Sequence, residues 1–532
     1  METLLKISTP DMVILLFYLV ATAGAGILFR GRQQSSRDYF LGDRSLPWLA
    51  VCLSIVATET STLTFISIPG LAYQSNMNFL QVALGYICGR IIVSFLLLPA
   101  YYRRTLNTSY ELMRIKYGNR MHTLTSVLFL ITRLLADGVR LYATAIPLAL
   151  MTGWSMGIAI VIIAAATMIY TVLGGIRSVV WMDVLQSGIY MIGALTAAAV
   201  ILSRISGGAD LGFAAAGAAG KFSIFTLGAE GSWRQFFSTS YTLPAGLIGG
   251  ALLSMASHGT DQIIVQRLLA CRSLYAGQKA LVTSGFLVLV QFAVFLFLGV
   301  LLYLFYQGID MPSDHVFPRF ILEEMPAGLK GIIIAAIFAA AMSTLSSSLN
   351  ALASSSLFDL IKTRIRLTIR QELLTSRMIT LFWGIVLTGS ALLLHHQDNP
   401  VVELGLSIAS YTYGGVLGVF LMSVGKKAPG ESNALISLWC ALAAMIWFIG
   451  GGVEIQIMLG LPLAAIGLWI GWGIKIRRER IFIIAAGAFI FSVILFLPSP
   501  RAAWTWYVPA GSLMAVVASH LQTRLNRIPL LA

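Results

Sequence analysis

The chain has 532 residues, of which 58% are hydrophobic and only 11% are charged, whereas a soluble globular domain carries about 25% charged residues. No soluble fold can bury so large an apolar fraction. The composition therefore indicates an integral membrane protein built mostly of spans, and it excludes a soluble enzyme with one anchor, a disordered scaffold and a cytoplasmic nucleic-acid binder.

The formal net charge of +14, from 36 Lys and Arg against 22 Asp and Glu, has an explanation in membrane topology. Most basic residues fall in short predicted loops on one side of the membrane, as the positive-inside rule requires. This pattern places the N-terminus outside and the C-terminus inside, and it leaves no reason to expect a nucleic-acid partner.

A helix needs about 20 mostly apolar residues to cross the hydrocarbon layer. Fifteen segments of the chain meet this requirement. The predicted spans are 11–29, 46–74, 78–101, 121–150, 156–174, 178–203, 241–270, 278–306, 331–358, 376–396, 400–425, 432–452, 455–474, 480–498 and 504–522.

Polar residues interrupt the second predicted span. Six of the seven residues from Thr58 to Thr64 are polar, and Glu59 alone would cost about 2.5–3.5 kcal/mol in mid-membrane if it were unpaired. Such a run is typical of a helix that unwinds around a buried site. Hydrogen bonds from Ser and Thr back to their own helix are the alternative, but they do not account for Glu59.

The fourth predicted span carries Arg133, Asp137 and Arg140 at i, i+4 and i+7, which is one helix face. Asp137 can neutralise only one of the two arginines. The remaining positive charge could bind an anionic solute. The alternative is a structural network of salt bridges, with Glu59 as a further member, and both interpretations stay open at this point.

Hydroxyl groups line one face of the span 331–358. The stripe consists of Ser343, Ser346, Ser347 and Asn350, at i, i+3, i+4 and i+7. It provides neutral oxygen ligands for an alkali cation, although small residues also permit close helix packing. Asp183, one turn inside the end of its span, adds a single negative charge. One carboxylate balances a sodium ion, whereas a divalent ion usually recruits more.

The seventh predicted span is weakened in its outer half by Pro244, Gly246, Gly249 and Gly250. It follows the interrupted second span by five spans. Interrupted helices at matching places of two five-span halves are typical of an inverted repeat with a binding site at the membrane midplane.

Four segments together resemble the sodium:solute symporter family, whose members transport proline, sugars, sialic acid, pantothenate, iodide and monocarboxylates. The segments are Arg37–Trp48, Gly174–Asp183, Asp261–Arg267 and Ala340–Ser347, and the resemblance covers residues 36–430. It implies an all-α, LeuT-type membrane fold of two inverted five-helix repeats with extra peripheral helices. The implied division is 1–45 (first span and loop), 46–203 (first repeat), 204–240 (external loop), 241–425 (second repeat) and 426–532 (peripheral spans).

The resemblance also implies binding residues. For a first sodium site these are Ala57, Thr60, Ala340, Ser343 and Thr344, and for a second sodium site Asp183, Ser343, Ser346 and Ser347. The implied solute-facing residues are Ser61 and Thr64, with Arg133 or Arg140 as the carboxylate-binding arginine of the third core span. Glu59 is added to the solute set, although relatives carry Asp, Phe or a polar residue there.

The expected function is sodium-coupled symport of a small polar organic solute, either carboxylate-bearing or a sugar, by alternating access. The alternatives are a proton-coupled or uncoupled transporter of the same fold, and an ion channel. No catalytic constellation points to an enzyme. We expect sodium as coupling ion, no organic cofactor, the lipid bilayer and the solute as partners, no obligate protein partner, and a multi-pass location in the plasma membrane, specifically a bacterial inner membrane.

Overall fold

The computed structural model describes residues 7–205, 209–228, 232–394, 401–425, 428–450, 466–467, 470 and 502–525. Within these ranges the protein is all-helical, and one isolated bridge, between Leu46 and Cys271, is its only β-type pairing. The helical fold class predicted from the sequence therefore holds over the described part of the chain.

The helices are α1 Thr9–Leu28, α2 Ser36–Leu41, α3 Trp48–Glu59, α4 Thr62–Gln74, α5 Leu80–Leu96, α6 Leu98–Tyr102, α7 Glu111–Lys116, α8 Asn119–Thr152, α9 Met156–Arg204, α10 Ala209–Ala218, α11 Trp233–Ser238, α12 Gly250–Gly259, α13 Gln262–Leu269, α14 Leu274–Phe305, α15 Ser313–Glu323, α16 Leu329–Ser355, α17 Ile369–Leu393, α18 Val401–Val424, α19 Glu431–Ile449 and α20 Tyr507–Leu525. One π-helical turn, Ala245–Gly249, leads directly into α12, and a second, Ser356–Ile361, directly follows α16.

Seven helical segments in the described residues are long and apolar enough to cross a membrane, and the bent pair of α3 and α4 makes an eighth. This agrees with a multi-pass membrane protein. The predicted count of fifteen spans is not confirmed, since all of 480–498 and most of 455–474 lie outside the described residues. The orientation of the two termini stays a prediction.

Helix α9 contains two predicted spans, 156–174 and 178–203, in one run of 49 residues. At 1.5 Å per residue its length is about 74 Å, more than twice the thickness of the hydrocarbon layer, about 30 Å. The two halves meet at a kink at Gly175, whose φ is +59°. A side chain there would also place its Cβ 2.4 Å from the Tyr39 carbonyl oxygen, so glycine is required.

The hydroxyl-rich helix α16 lies at the centre of the molecule. It packs against α9, α1 and α8, and 94% of its most apolar stretch is buried inside the protein. Its serines therefore face other helices rather than lipid. Polar groups in a membrane protein are expected to face the interior of the helix bundle in this way.

Two spans are broken. The first break separates α3, which ends at Glu59, from α4, which begins at Thr62, with a bend of 65°. It coincides with the polar interruption predicted at Thr58–Thr64. The second break separates α12 from α13 at Thr260 and Asp261.

The second break lies further along the chain than the predicted weak region at Pro244–Gly250. That region remains helical, with a π turn, because its glycines serve close packing against α5: a Cβ at Gly246 would lie 2.8 Å from the Gln81 backbone. Asp261 instead starts a new helix, since its side chain accepts a hydrogen bond from the Ile263 amide at 2.9 Å.

Candidate functional site

The break between α3 and α4 frees backbone carbonyl groups inside the membrane. The Thr60 amide still donates to the Val56 carbonyl at 3.1 Å, and the Ser61 hydroxyl caps α4 by accepting from the Thr64 amide at 3.3 Å. Among the described residues, no hydrogen-bond donor reaches the carbonyl oxygens of Ala57 and Thr60. Unwound carbonyl groups of this kind coordinate sodium in transporters with inverted repeats.

Helix α16 lies directly against this break. The hydroxyls of Thr58 and Ser347 are 3.0 Å apart, and the Thr62 hydroxyl donates to the Ile337 carbonyl at 3.1 Å. Thr58 and Thr62 lie on either side of the break, so the two contacts place residues 337–347 of α16 beside it. The α16 residues predicted for the first sodium site, which are Ala340, Ser343 and Thr344, lie within that stretch.

The hydroxyls of Ser343 and Thr344 have their hydrogens engaged and their lone pairs available. Ser343 donates to one carboxylate oxygen of Asp183 at 2.6 Å, and Thr344 donates to the Ala340 carbonyl at 3.2 Å. A hydroxyl that donates its hydrogen keeps two acceptor lone pairs. Both oxygens can therefore act as neutral ligands for a cation held at the break.

Asp183 is fully buried and has three partners. Besides Ser343, it accepts a hydrogen bond from the Ser54 hydroxyl at 2.5 Å and pairs with the Arg267 guanidinium at 3.1 Å. Arg267 is itself fully buried on α13. Arg267 thus lies inside the predicted span 241–270, where its charge is paired.

The Arg267 guanidinium occupies the region predicted for the second sodium ion. It donates to Ser54 at 2.8 Å, to the Ile263 carbonyl at 2.7 Å and to the Ser347 hydroxyl. Asp183 and Ser347 thus contact a positive charge that belongs to the protein, and Ser343 is linked to it through Asp183. A sodium ion can bind Asp183 and Ser347 together only if the guanidinium withdraws.

Ser346 is the remaining member of the predicted second sodium set. Its hydroxyl donates to the Ser343 carbonyl at 3.0 Å, and it makes no hydrogen bond to Asp183 in the described part of the chain. The Ser346 hydroxyl is therefore engaged by the backbone of its own helix.

The two arginines of α8 belong to a balanced network. Asp137 lies 3.5 Å from Arg133 and 3.2 Å from Arg140, and Arg133 also pairs with Asp261 and donates a hydrogen bond to the Tyr413 hydroxyl oxygen. Two arginines therefore face two carboxylates. Asp261 neutralises the charge that Asp137 leaves over, and Glu59 is not among the described members of this network.

Arg133 and Arg140 differ in their access to solvent. The Arg133 side chain is 7% exposed and Arg140 is 24% exposed. Arg140 borders a narrow cleft between α8 and α16. The cleft is lined by Asp137, Arg140, Leu141, Thr144, Ala341, Thr344, Leu345 and Ser348. Thr344 belongs to the predicted first sodium site, so Arg140 shares a cleft with a residue of that site.

Glu59, Ser61 and Thr64 lie together at the α3–α4 break, where the hydroxyls of Ser61 and Thr64 are 3.3 Å apart. Glu59 forms an ion pair with Arg90 of α5, and His258 of α12 lies 3.7 Å from the same carboxylate oxygen. Sequence reasoning did not assign Arg90, His258 or Arg267 to a site. The available signal was a charged residue inside an apolar span, which is costly unless it is paired.

The sodium:solute symporter family model matches residues 39–441. The chain belongs to the sodium:solute symporter family. The match confirms the resemblance predicted over residues 36–430, and with it a family of sodium-coupled membrane transporters rather than enzymes.

Similar proteins within this family transport different solutes. The chain is 28% identical to the sodium/sialic acid symporter NanT of Aliivibrio fischeri, with 82% of this chain and 87% of that protein covered. It is 27% identical to the human sodium-coupled monocarboxylate transporter 1, with 85% and 74% covered. The family membership is therefore shown, and the solute is not fixed by it.

A solved structure agrees with this symporter along nearly its whole length. It is the substrate-bound outward-open state of a Na+-coupled sialic acid symporter, with a TM-score of 0.80, 25% sequence identity, and 97% of this chain and 98% of that chain covered. The described helices of this symporter thus follow a LeuT-type fold, as the sequence predicted.

Proposed function

We propose that this symporter imports a small polar organic solute together with sodium, by alternating access across a plasma membrane, here a bacterial inner membrane. The observation that carries the proposal is the α3–α4 break, where the carbonyls of Ala57 and Thr60 have no donor among the described residues and where the hydroxyls of Thr58 and Thr62 contact α16. A sodium ion there would be held by those two carbonyls, the Ala340 carbonyl, and the hydroxyls of Ser343 and Thr344.

In this proposal the sodium ion joins two halves of the chain. Ala57 and Thr60 belong to the proposed first repeat, 46–203, and the α16 ligands belong to the proposed second repeat, 241–425. A cation that links them favours the conformation in which the repeats are closest. By linkage, whatever solute prefers that conformation then binds more tightly when sodium is present.

The second sodium site is proposed at Asp183, Ser343, Ser346 and Ser347, with one condition. Arg267 holds two of these residues through ion pairing and hydrogen bonding, so sodium entry requires Arg267 to exchange its partners. A transport cycle that never moves Arg267 would use one sodium ion.

The solute is proposed to bind at the same break, next to Ser61 and Thr64 and close to Glu59. Of the two arginines, Arg140 is the better candidate for a solute carboxylate, because Arg133 is already engaged by Asp261, Asp137 and Tyr413. A carboxylate-bearing solute and a sugar both fit this description.

Sodium coupling supplies enough free energy for strong accumulation. One charge crossing 100 mV releases about 2.3 kcal/mol, and a tenfold sodium gradient adds about 1.4 kcal/mol. The sum of about 3.7 kcal/mol supports roughly 500-fold accumulation of a neutral solute.

The test is uptake into proteoliposomes of pooled labelled sugars and carboxylates, first under an inward sodium gradient and then under an equal potassium gradient. Accumulation with sodium alone is the expected result. Equal uptake under both gradients would overturn sodium coupling and point to a proton-coupled or uncoupled transporter. Ion flux with no saturable uptake would indicate a channel.

A further inference from the structure

Positive charge exceeds negative charge in the segment that connects α16 to α17. Residues 362–377 contain five Lys and Arg residues and one carboxylate, Glu372. Both oxygens of this carboxylate are engaged. Oε1 pairs with Lys362 at 2.7 Å, and Oε2 accepts a hydrogen bond from the Ser36 hydroxyl at 2.6 Å. Glu372 therefore balances Lys362, and the arginines of the segment keep their positive charge unbalanced.

Three of these arginines lie at the surface of the protein. Arg364, Arg366 and Arg370 are exposed, and within the described part of the chain their guanidinium groups form no ion pair or hydrogen bond. Guanidinium groups bind phosphate through paired, charge-assisted hydrogen bonds. Three of them within seven residues therefore favour a ligand that carries a phosphate group.

The segment that carries the arginines is held in place by the rest of the protein. Leu367, in its middle, packs against a buried apolar cluster that includes Phe358. Thr368 and Gln371 form a reciprocal capping box at the start of α17, which fixes the direction in which the chain enters that helix. The arginines therefore project from a positioned segment.

An apolar stripe on α17 begins one helical turn after the last of these arginines. Leu374, Met378, Leu381 and Ile385 follow Arg370 at i+4, i+8, i+11 and i+15, which is one helix face. These four side chains are 45–62% exposed. From Leu374 to Ile385 the stripe is about 16 Å long at 1.5 Å per residue, which matches one leaflet of a hydrocarbon layer about 30 Å thick. An acyl chain can therefore lie along the stripe.

Apolar side chains also alternate with the arginines themselves. Ile365 is 57% exposed and Ile369 is 67% exposed, and each is adjacent in sequence to an exposed arginine. Such a mixture is typical of the membrane interface, where aliphatic groups enter the apolar layer and charged groups reach the headgroups. A free phosphate ion would use the arginines and leave both isoleucines and the stripe without a partner.

We propose that Arg364, Arg366 and Arg370, together with the apolar stripe of α17, form a binding site for an anionic phospholipid. The guanidinium groups donate hydrogen bonds to the phosphate, and one acyl chain lies on the stripe. A zwitterionic lipid binds less well, because its own cationic group is repelled by the arginines. This inference goes beyond the proposed function, since it holds whichever solute and coupling ion the protein uses.

The test titrates lipid into the purified full-length protein in a nonionic detergent and measures the thermal midpoint of unfolding. The two lipids are phosphatidylglycerol and phosphatidylcholine with the same acyl chains. We expect phosphatidylglycerol to reach half of its maximal effect at about a tenfold lower concentration, because clustered arginines attract an anionic headgroup. Glycerol phosphate and inorganic phosphate, which have no acyl chain, should not change the midpoint at these concentrations.

Arg364→Gln/Arg366→Gln/Arg370→Gln is expected to remove the preference for phosphatidylglycerol. If this variant does not fold, Arg370→Gln alone should lose part of it. A matched control removes the same charge from three exposed arginines between α6 and α8 and should keep the preference. The control variant is Arg103→Gln/Arg104→Gln/Arg114→Gln.

Three results would overturn the inference. Equal concentration dependence for the two lipids in the wild-type protein would mean that the arginines serve only to set membrane topology. An equal loss of preference in the two triple variants would mean that net charge, and not a site, attracts the lipid. A shift produced by inorganic phosphate as large as that of phosphatidylglycerol would indicate an anion site without a lipid.

Discussion

At the residue scale, Ser343 is the side chain that both proposed sodium sites share. Its hydroxyl hydrogen goes to Asp183 at 2.6 Å, which leaves its lone pairs for a cation at the α3–α4 break. Ser343 is fully buried, so in a variant without its hydroxyl a water molecule could take the place of the lost oxygen only by entering through the sodium site.

We therefore expect Ser343→Ala to weaken sodium binding by about tenfold or more, equivalent to about 1.4 kcal/mol. The measurement is the sodium concentration dependence of uptake. Ser437→Ala is the matched control, because Ser437 is also fully buried and bonds to its own helix, but on α19. Equal sodium affinity in the two variants would contradict the assignment of Ser343.

Asp183 and Arg267 provide a second prediction at this scale. Removing one partner of a buried ion pair costs about 3–5 kcal/mol, because the other charge is left unpaired. Asp183→Asn should therefore lower the thermal midpoint of unfolding strongly, and the double variant Asp183→Asn/Arg267→Gln should recover part of the loss.

The sodium dependence of Asp183→Asn then separates the two roles of the residue. A lower Hill coefficient would support a second sodium ion. Unchanged sodium dependence, together with recovery of stability in the double variant, would mean that Asp183 serves only to pair Arg267.

At the element scale, the two broken spans are fixed by different means. The α3–α4 break relies on hydroxyls that cap α4 and cross-link to α16. The α12–α13 break relies on Asp261, which caps α13 and pairs with Arg133 of α8. Each break is thus held by an element outside its own span, so its position depends on tertiary contacts.

The kink in α9 gives a prediction for this scale. Gly175→Ala should destabilise the protein by about 1–3 kcal/mol, because a non-glycine residue is strained at positive φ and its Cβ would lie 2.4 Å from the Tyr39 carbonyl oxygen. Gly188→Ala, in the same helix with open space around its Cβ, should be neutral or stabilising. Thermal unfolding compares them, and similar midpoints would contradict the role of the kink.

At the scale of the whole molecule, ion pairs inside the spans connect distant parts of the chain. Four arginines on α5, α8 and α13 face four carboxylates from α3, α8, α9 and the α12–α13 break. They are Arg90, Arg133, Arg140 and Arg267, against Glu59, Asp137, Asp183 and Asp261. This group of charges is balanced without a bound ion, so a sodium ion adds one net positive charge to it.

Because sodium is proposed to bind the folded protein at a specific site, it should stabilise the fold as a ligand does, and not by screening the protein's charges. At a sodium concentration 100 times the dissociation constant, the expected gain is about 2.7 kcal/mol. The measurement is the thermal midpoint in sodium chloride against potassium chloride at equal ionic strength, and Ser343→Ala should lose the difference. An equal midpoint in the two salts for the wild-type protein would contradict a preformed sodium site.

Part of the site was predictable from local sequence. The polar run at Thr58–Thr64 and the serine stripe of α16 stand out because each violates the apolar pattern of its own span. The pairing of Arg133, Asp137 and Arg140 follows from helical spacing. In each case the signal lies within one predicted span, where residues that are close in sequence are also close in space.

The partners of these residues were not predictable. Asp261 lies 128 residues from Arg133, Arg267 lies 84 residues from Asp183, and no spacing rule relates positions on different helices. The same holds for the α12–α13 break, which was expected at the glycines of 244–250. Those glycines allow close packing against α5, and composition alone does not separate a packing glycine from a helix-breaking one.

Apolar length, polar interruptions and family motifs are local properties of the chain, and they are enough to identify a helical membrane protein of the sodium:solute symporter family. Tertiary structure alone decided which charges neutralise each other. That is why the Arg267 guanidinium lies beside Asp183, and why one oxygen of Glu59 has no hydrogen-bond donor among the described residues. Electrostatic pairing depends on distances of a few ångströms between helices, and only the packed fold sets those distances.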